Sequence, residues 1–578
     1  MTTAPTSADA VSINPTTQAE LERAPRELDA HKAEWVGLGA AARAALIEQI
    51  QRDLVGVLPE WIALSREAKG ITPGDLAEGD EWGGVAIMFR VLRQLKHTLR
   101  DIAAQGRPQP PGIITTRADG QVLARVLPTR LDDHLIFTRF TADVWMQPGV
   151  TAAEASATMG LNYQRKAHNG QIALVLGAGN YSPLTPMDFL HKLFQEDQVV
   201  IVKMNPTNAY LGPLYERGFR ALVERGFLRV VYGGTTEAAY LVQHPLVGEL
   251  HLTGSDKTYE AIVFGTGAEG QRRKAQRQPI VTKRFTAELG CITPVIVVPG
   301  PWTERDLRHH AANIANMLMI NAGFNCVTAR VIVQHANWPQ RWALNRAIGQ
   351  VLAGVKPRKA YYPGAQAVYA DFLAAHPEAE RYGQPAEGDL PWTFIPDVNA
   401  QDEDEICFRR EAFCSLFAET GIEAASPAEF IDRAVAFCNE RVWGTLTATL
   451  IVHPQSLRDP AVAAAVERAV ANLRYGTVSI NMWSVIGIFL GVTPWGGFPG
   501  AESHDIQSGT GFTNNTFMFA HPQKSVVRAP FWMPLIPLPV NNRHYHTFYE
   551  KLVHYEAVES PLHLPGIVWD VLTGLKGN

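Results

Sequence analysis

"QIALVLGAGNYSPLTPMDFLHKLFQEDQVVIVKMNP", residues 171–206, is the stretch whose reading decides the fold. Two short runs, IALVL and VVIV, are apolar on both faces, and the segment between them, through PMDFLHKLFQ, reads as a helix. Strand, crossover helix and strand with short connections describe a parallel sheet covered by helices on both sides. The alternation continues through AYLGPLYERGFRALVERG, a helix, and LRVVYGG, a strand. The spacing predicts an α/β protein with a doubly wound, Rossmann-like nucleotide-binding domain. The glycine fingerprint usual for that domain is absent, because the glycines of GAGNYSP (177–183) have a different spacing. Another scheme must then hold a pyrophosphate. ELHLTGSDKTYEAIV (249–263) offers one: a strand, a turn at Gly254 and Ser255, and a helix whose free N–H groups face an anion. A serine in that place serves equally well as an N-cap.

Working outward, 578 residues exceed what one core organises, so about two to four domains are expected. An apolar content of 46% with 19% charged residues describes a soluble globular protein. Basic residues number 52 against 57 acidic, with no basic stripe, and this excludes a nucleic-acid partner. The five cysteines, at 291, 326, 407, 414 and 438, form no CxxC pair and no zinc-like spacing. A reducing, cytoplasmic setting and no metal are expected. HYH at 544–546, with His554, lacks a fourth partner. The N-terminus, MTTAPTSADAVSINPTTQ, has neither a basic nor an apolar signal region, and residues 1–20 read as a loose arm. No apolar run reaches the roughly 18–20 residues of a membrane span. The section that follows opens helical, as in WGGVAIMFRVLRQLKHTLRDIAA (82–104).

NAGFNC (321–326) raises the chemical question, since a lone Cys326 is most often a small buried hydrophobe. Its neighbours answer it. In order along the chain, GAGNYSPLTP with Asn180, VVIVKMNP with Lys203, HLTGS with Gly254 and Ser255, TAELGCITP with Glu288, NAGFNC with Cys326 and REAFCSLF with Glu411 and Phe413 resemble the signature segments of the aldehyde dehydrogenase superfamily. SINMWS and TPWGGFPGAESHDIQSGTG resemble its closing segments. Any one match is common, whereas their order and spacing over about residues 40–525 are specific.

The resemblance implies a cofactor-binding domain (21–140 and 173–290), a catalytic domain (291–511), a β-hairpin oligomerisation arm (141–172 and 512–530) and a C-terminal extension (531–578). It implies a homodimer or homotetramer. It also implies that Cys326 attacks an aldehyde, that the Asn180 amide and the Cys326 backbone N–H hold the oxyanion, and that Glu288 activates the water that hydrolyses the thioester. Lys203, Gly254, Ser255, Glu411 and Phe413 would contact NAD or NADP. Relatives specific for NAD often carry a glutamate three residues after the lysine; Pro206 stands here, so use of both cofactors is expected.

The chain departs from the family pattern at Cys291, at Phe324, which puts an aromatic beside the nucleophile turn, and at Cys414 and Ser415 after Phe413. The basic run at 272–274, 277, 283 and 284 reads as a solvated loop or as a patch near the adenosine. After TGFTNNTFMFAHPQKSVVRAPF, which resembles the class including fatty aldehyde dehydrogenases, the apolar tail is expected either to pack across the protomer or its partner, or to wall the substrate entrance. With Phe324, such a wall would favour long or aromatic aldehydes. Two other classes stay open: a CoA-acylating relative, against which Glu288 speaks, and a non-catalytic structural protein, against which the intact set Cys326, Asn180 and Glu288 speaks.

Overall fold

The computed structural model describes residues 13–165, 168–532 and 537–575. Strand Ile172–Leu176 lies at the centre of one sheet, with Val199–Lys203 and Leu228–Val231 on one side and Val247–Gly254 and Arg284–Leu289 on the other. These strands all run parallel. Taken in chain order, they lie across the sheet as third, second, first, fourth and fifth, the doubly wound arrangement. Winding reverses between Ile172–Leu176 and Val247–Gly254, and ligands of such sheets bind beyond the carboxyl ends at that reversal. The segments that leave those ends carry Asn180 and Ser255. Every residue of Ile172–Leu176 and Val199–Lys203 is buried, which accounts for their apolar character on both faces.

A short strand, Gly509–Thr510, closes this sheet antiparallel to Arg284–Leu289 and pairs Gly509 with Glu288. A Cβ at Gly509 would sit 1.9 Å from the Ala287 carbonyl oxygen, and its φ of 103° is open to glycine alone. The backbone beside Glu288 is therefore locked from both sides.

The second sheet has a parallel centre formed by Trp392–Val398, Leu416–Ile422, Ala329–His335, Thr293–Val297, Thr447–Ile451, Thr477–Ile480 and Pro522–Arg528. It continues antiparallel through Thr141–Met146, Val122–Leu127 and Ile114–Thr116. The segments 141–172 and 512–530, where an arm is expected, contribute the strands Thr141–Met146 and Pro522–Arg528, which pair with each other. Val122–Leu127 pairs on the far side of Thr141–Met146. Pro522–Arg528, with Val526 and Val527 buried, pairs on both edges. Leu161–Gln164 is a short helix.

The loose N-terminal arm expected over 1–20 gives way at Gln18 to the helix Gln18–Gly37, which opens with a reciprocal Thr17–Glu20 capping box. Residues 1–12 lie outside the described residues. Among the described residues, no helix is long and apolar enough to cross a membrane.

The C-terminal extension packs on its own protomer, its helix Tyr545–Val558 lying along helix Glu78–Gln105. Charges that are buried at the contact fasten it. Glu556 binds Arg90 at 3.1 Å and Arg93 at 3.0 Å, and those arginines also bind Asp133 at 2.8 Å and Asp132 at 2.6 Å. Lys96 and His97 hold Glu559, whose carboxyl burial pushes up but whose hydrogen bonds bring down to about 2. Removing one member of a buried ion pair strands the other without water. Glu556→Ala is expected to cost about 3–5 kcal/mol of stability, measured by urea denaturation, whereas Glu467→Ala, at the exposed pair with Arg528, should cost under about 1 kcal/mol.

Candidate active site

Cys326 lies in the turn between helix Glu304–Met319 and strand Ala329–His335. The turn is tight: Asn321 (φ 54°), Ala322 (φ 54°) and Gly323 (φ 81°) are all left-handed. Two successive non-glycine residues there cost about 1–3 kcal/mol each and persist only where the surroundings hold them. Gly323 has no alternative, since a Cβ would meet the Cys414 carbonyl oxygen at 2.5 Å. Its own carbonyl accepts from Thr328 Oγ1 at 3.1 Å and from the Arg330 guanidinium, which also binds the carbonyls of Cys414 and Leu416. Arg330 so ties the nucleophile turn to the loop that carries Glu411 and Phe413.

Glu288, near the end of its strand, reaches Cys326 from the other sheet. Its carboxylate accepts from Trp495 Nε1 at 3.1 Å and lies beside the Cys326 thiol. Burial raises Glu288 to about 7, with Cys326 and Trp495 opposing. Burial and the Glu288 charge push the Cys326 thiol well above its ordinary range. Near neutrality the proton therefore sits on sulfur, beside a carboxylate able to take it as the sulfur attacks. Asn180 Nδ2 donates to the Phe324 carbonyl at 2.9 Å, which leaves its second N–H for a neighbour. Asn180 and Cys326 line one pocket, and Glu288 lies beside Cys326, so the three side chains come together.

The pocket above them is apolar, walled by Met187, Trp483, Ile486, Phe489, Tyr545 and Tyr549. Trp483 Nε1 donates back to the Val327 carbonyl at 2.7 Å, so the indole offers its ring to the pocket and its N–H to the protein. Leu538, Tyr545 and Tyr549 belong to the extension, which both packs across the protomer and walls the pocket. Phe324 does not join them. It is 1% exposed and sits among Tyr361, Tyr362 and Phe413, with ring centroids at 4.9, 5.9 and 5.9 Å. The expected aromatic beside the nucleophile turn is present, but it supports the turn from behind.

Glu411 lies across Gly290, where a Cβ would fall 1.8 Å from its Oε2. Burial lifts its carboxyl to about 8, with Arg330 and the Cys291 N–H opposing. Its Oε1 is buried with no hydrogen-bond partner, a vacancy that a sugar hydroxyl fits. Phe413, at φ 34°, stands in the same loop. Lys203 ends its strand, and burial lowers its ammonium while the Glu237 charge opposes. The Ser255 hydroxyl caps helix Asp256–Phe264 by accepting from Thr258 N at 3.2 Å. Both readings of that serine fit together, as a cap whose helix still presents its first N–H groups beyond Gly254.

Cys291 is fully buried against Gly444, so the departure from glycine is absorbed by packing. The basic run is ion-paired: Arg272 to Glu269, Lys274 to Glu260, and Arg284 to Glu196 and Glu249. That favours the solvated reading. Among the described residues, one His, Cys, Asp or Glu group has ligand atoms within 4.8 Å of one another, namely His376, Glu405 and Cys407. Its donors already bond, with His376 Nε2 and the Cys407 N–H on Glu405 at 2.9 and 2.8 Å. Sequence reading missed Trp495, Arg330, Lys69, Asp80 and Tyr361, since each acts through a contact distant in the chain.

A doubly wound sheet faces a second, largely parallel sheet, and Cys326 and Glu288 meet between them. Residues 199–348 match the model of the aldehyde dehydrogenase family. No curated protein sequence matches. Among solved structures, an aldehyde dehydrogenase from Mycobacterium tuberculosis complexed with NAD+ is 17% identical, with a TM-score of 0.59 over 91% of this chain and 92% of that one. A mutant aldehyde dehydrogenase C from Pseudomonas syringae, complexed with NAD+ and octanal, is 16% identical, with a TM-score of 0.56 over 89% of each chain. A salicylaldehyde dehydrogenase from Pseudomonas putida G7, complexed with salicylaldehyde, is 14% identical, with a TM-score of 0.58 over 90% of this chain and 92% of that one. The fold of this chain is similar to the fold of these aldehyde dehydrogenases.

Because the Trp495 N–H stabilises the ionised carboxylate, Trp495→Phe should raise the Glu288 titration above about 7, by up to about one pH unit for a lost bond of about 1.4 kcal/mol. Difference infrared titration against Glu288→Gln reads it directly, and an unmoved midpoint would remove Trp495 from the account.

Proposed function

We propose that this chain oxidises an apolar aldehyde, long-chain or aromatic, to the carboxylic acid with NAD+ or NADP+. The observation that carries the reading is the placement of Cys326 beside a buried Glu288, whose carboxyl burial raises to about 7, at an apolar pocket lined by Cys326, Asn180 and Trp495. As sulfur attacks the carbonyl carbon, its proton passes to Glu288, and charge moves to the substrate oxygen. The free Asn180 N–H and the Cys326 backbone N–H are the donors that meet that charge. When bound, the nicotinamide supplies the acceptor for the hydride that leaves the tetrahedral carbon, so that a thioester remains on Cys326. Glu288, once it has released its proton, serves as the base that draws a proton from water as the water attacks the thioester. A base this close to sulfur favours hydrolysis over transfer to CoA. It gives the non-catalytic reading no role for the pair.

Glu411 Oε1 would accept from the nicotinamide ribose and Phe413 would pack on the ring, while Lys203 would meet the adenosine ribose. Pro206 leaves no carboxylate three residues after Lys203, while the Glu237 charge that acts on Lys203 would oppose a 2′-phosphate there. The octanal and salicylaldehyde complexes of the two Pseudomonas proteins are in keeping with the apolar wall found here.

Cys326→Ala is expected to abolish turnover with cofactor binding retained, and Glu288→Gln to give at most one equivalent of reduced cofactor per site, with the acyl group retained on Cys326 by mass spectrometry. For straight-chain aldehydes, kcat/KM should rise about fourfold per methylene, the worth of about 0.8 kcal/mol each, until the wall at Tyr545 and Tyr549 is reached. A profile flat from acetaldehyde to octanal would refute the substrate class.

A further inference from the structure

We propose that Asp80 and Tyr545 are positioning residues for the nucleophile turn, so that the C-terminal extension governs the rate of the chemistry as well as the shape of the pocket. The inference rests on the function proposed above.

Asp80 opens helix Glu78–Gln105 and is 1% exposed. Its Oδ2 accepts the Asn321 backbone N–H at 2.8 Å and a guanidinium N–H of Arg358, while its Oδ1 accepts the Tyr545 hydroxyl at 3.0 Å. One carboxylate so joins the left-handed turn before Cys326 to the helix that begins the extension. The side chain of Asn321 is equally engaged. Its Oδ1 accepts from Lys69 Nζ at 2.9 Å and faces the Tyr361 hydroxyl at 3.0 Å, and its Nδ2 reaches the carbonyls of Asn180 and Phe324, each at 3.0 Å. Lys69 is itself paired with Glu81 at 2.6 Å, and Tyr361 also reaches the Asn180 carbonyl at 2.6 Å.

Each polar group of Asn321 thus has a partner, its own carbonyl accepting from Phe324 N at 3.0 Å. Those bonds hold two strained residues, and they set where the Asn180 amide stands relative to Cys326. The Asp80 tether is the only one of them that runs through the extension. Burial makes it strong, because a hydrogen bond to a charged group out of water is worth about 1.5–3 kcal/mol.

The same geometry separates the tether from the wall. The Tyr545 ring is seated against Gly79, where a Cβ would fall 2.3 Å from it. The seat does not depend on the hydroxyl. The hydroxyls of Tyr181 and Tyr545 both turn to Asp80, the former to its backbone carbonyl. Loss of the Tyr545 oxygen alone therefore leaves the apolar wall in place and slackens the turn. Misplacement of reacting groups by about 1 Å costs up to about a hundredfold in rate.

Tyr545→Phe is the test, with Asp80→Asn as the stronger variant and Tyr549→Ala as the variant of wall alone. Expected for Tyr545→Phe is a kcat about tenfold lower for acetaldehyde, octanal and benzaldehyde alike, within that range of misplacement, with KM and the ratios among the aldehydes unchanged. Tyr549→Ala should alter KM and the ratios instead. A Tyr545→Phe enzyme with wild-type kcat, or with altered ratios and undiminished kcat, overturns the proposal. Hydrogen exchange of the peptide spanning 320–326 reads the tether without turnover and should accelerate in Tyr545→Phe and Asp80→Asn. Wild-type protein inactive on all three aldehydes would count against the proposed function, whereas unchanged exchange would count against this inference.

Discussion

A carboxyl group held in an apolar setting under a thiol is the constraint around which the molecule is arranged. Glu288 comes from the doubly wound sheet and Cys326 from the mouth of the second sheet, so their contact exists only where the two sheets are fixed against each other. Gly509 clamps the backbone beside Glu288, Trp495 holds its carboxylate, and Arg330 ties the nucleophile turn to the Glu411 loop. Each device serves to keep two groups in register that water would otherwise separate. Burial raises Glu288 to about 7, and in the proposed reaction such a carboxyl would accept a proton that an ordinary one would leave on sulfur.

Buried charge recurs at a second scale. Arg90, Arg93, Asp132, Asp133 and Glu556 form a compact ionic layer under the extension, and Lys69, Asp80, Glu81 and Arg358 form another under the nucleophile turn. Pairs of this kind contribute little net stability compared with a hydrophobic core, but they penalise any misfit severely. They suit a tail that must return to one place against helix Glu78–Gln105 and complete a pocket there. The two layers stand on the same helix, which thereby fixes both the wall and the floor of the site.

How much was legible in the sequence depended on the range of the interaction concerned. The parallel sheet was readable from residues 171–206, because burial on both faces leaves its mark residue by residue. Cys326, Glu288 and Asn180 were readable through segments in a familiar order. The continuation of the second sheet into Thr141–Met146 and Val122–Leu127 was not, since strand pairing across more than three hundred and seventy residues, as between Met146 and Pro522, leaves no local pattern. Phe324 was misjudged for a related reason: a side chain next to a catalytic residue in sequence turned to the opposite face of the turn, where Tyr361, Tyr362 and Phe413 received it. Asp80 carried no signal at all. An acidic residue in the first turn of a helix looks like a dipole partner until Asn321 and Tyr545 are seen to converge on it.

The position of Pro522–Arg528 in the second sheet bears on how the chain comes to be assembled. This strand, the last among the described residues, lies between Thr477–Ile480 and the early strand Thr141–Met146. During synthesis the early strands emerge long before their neighbour exists, and the doubly wound sheet, whose contacts are nearer in sequence, can form while they wait. Closing the second sheet then requires contacts of very large separation, the slow kind, and leaves an exposed edge in the interim of the sort that recruits chaperones or stray partners. The extension follows immediately after that strand, so its docking on helix Glu78–Gln105 comes late in the sequence of events. A pocket walled by Leu538, Tyr545 and Tyr549 is therefore completed only once these late contacts have formed.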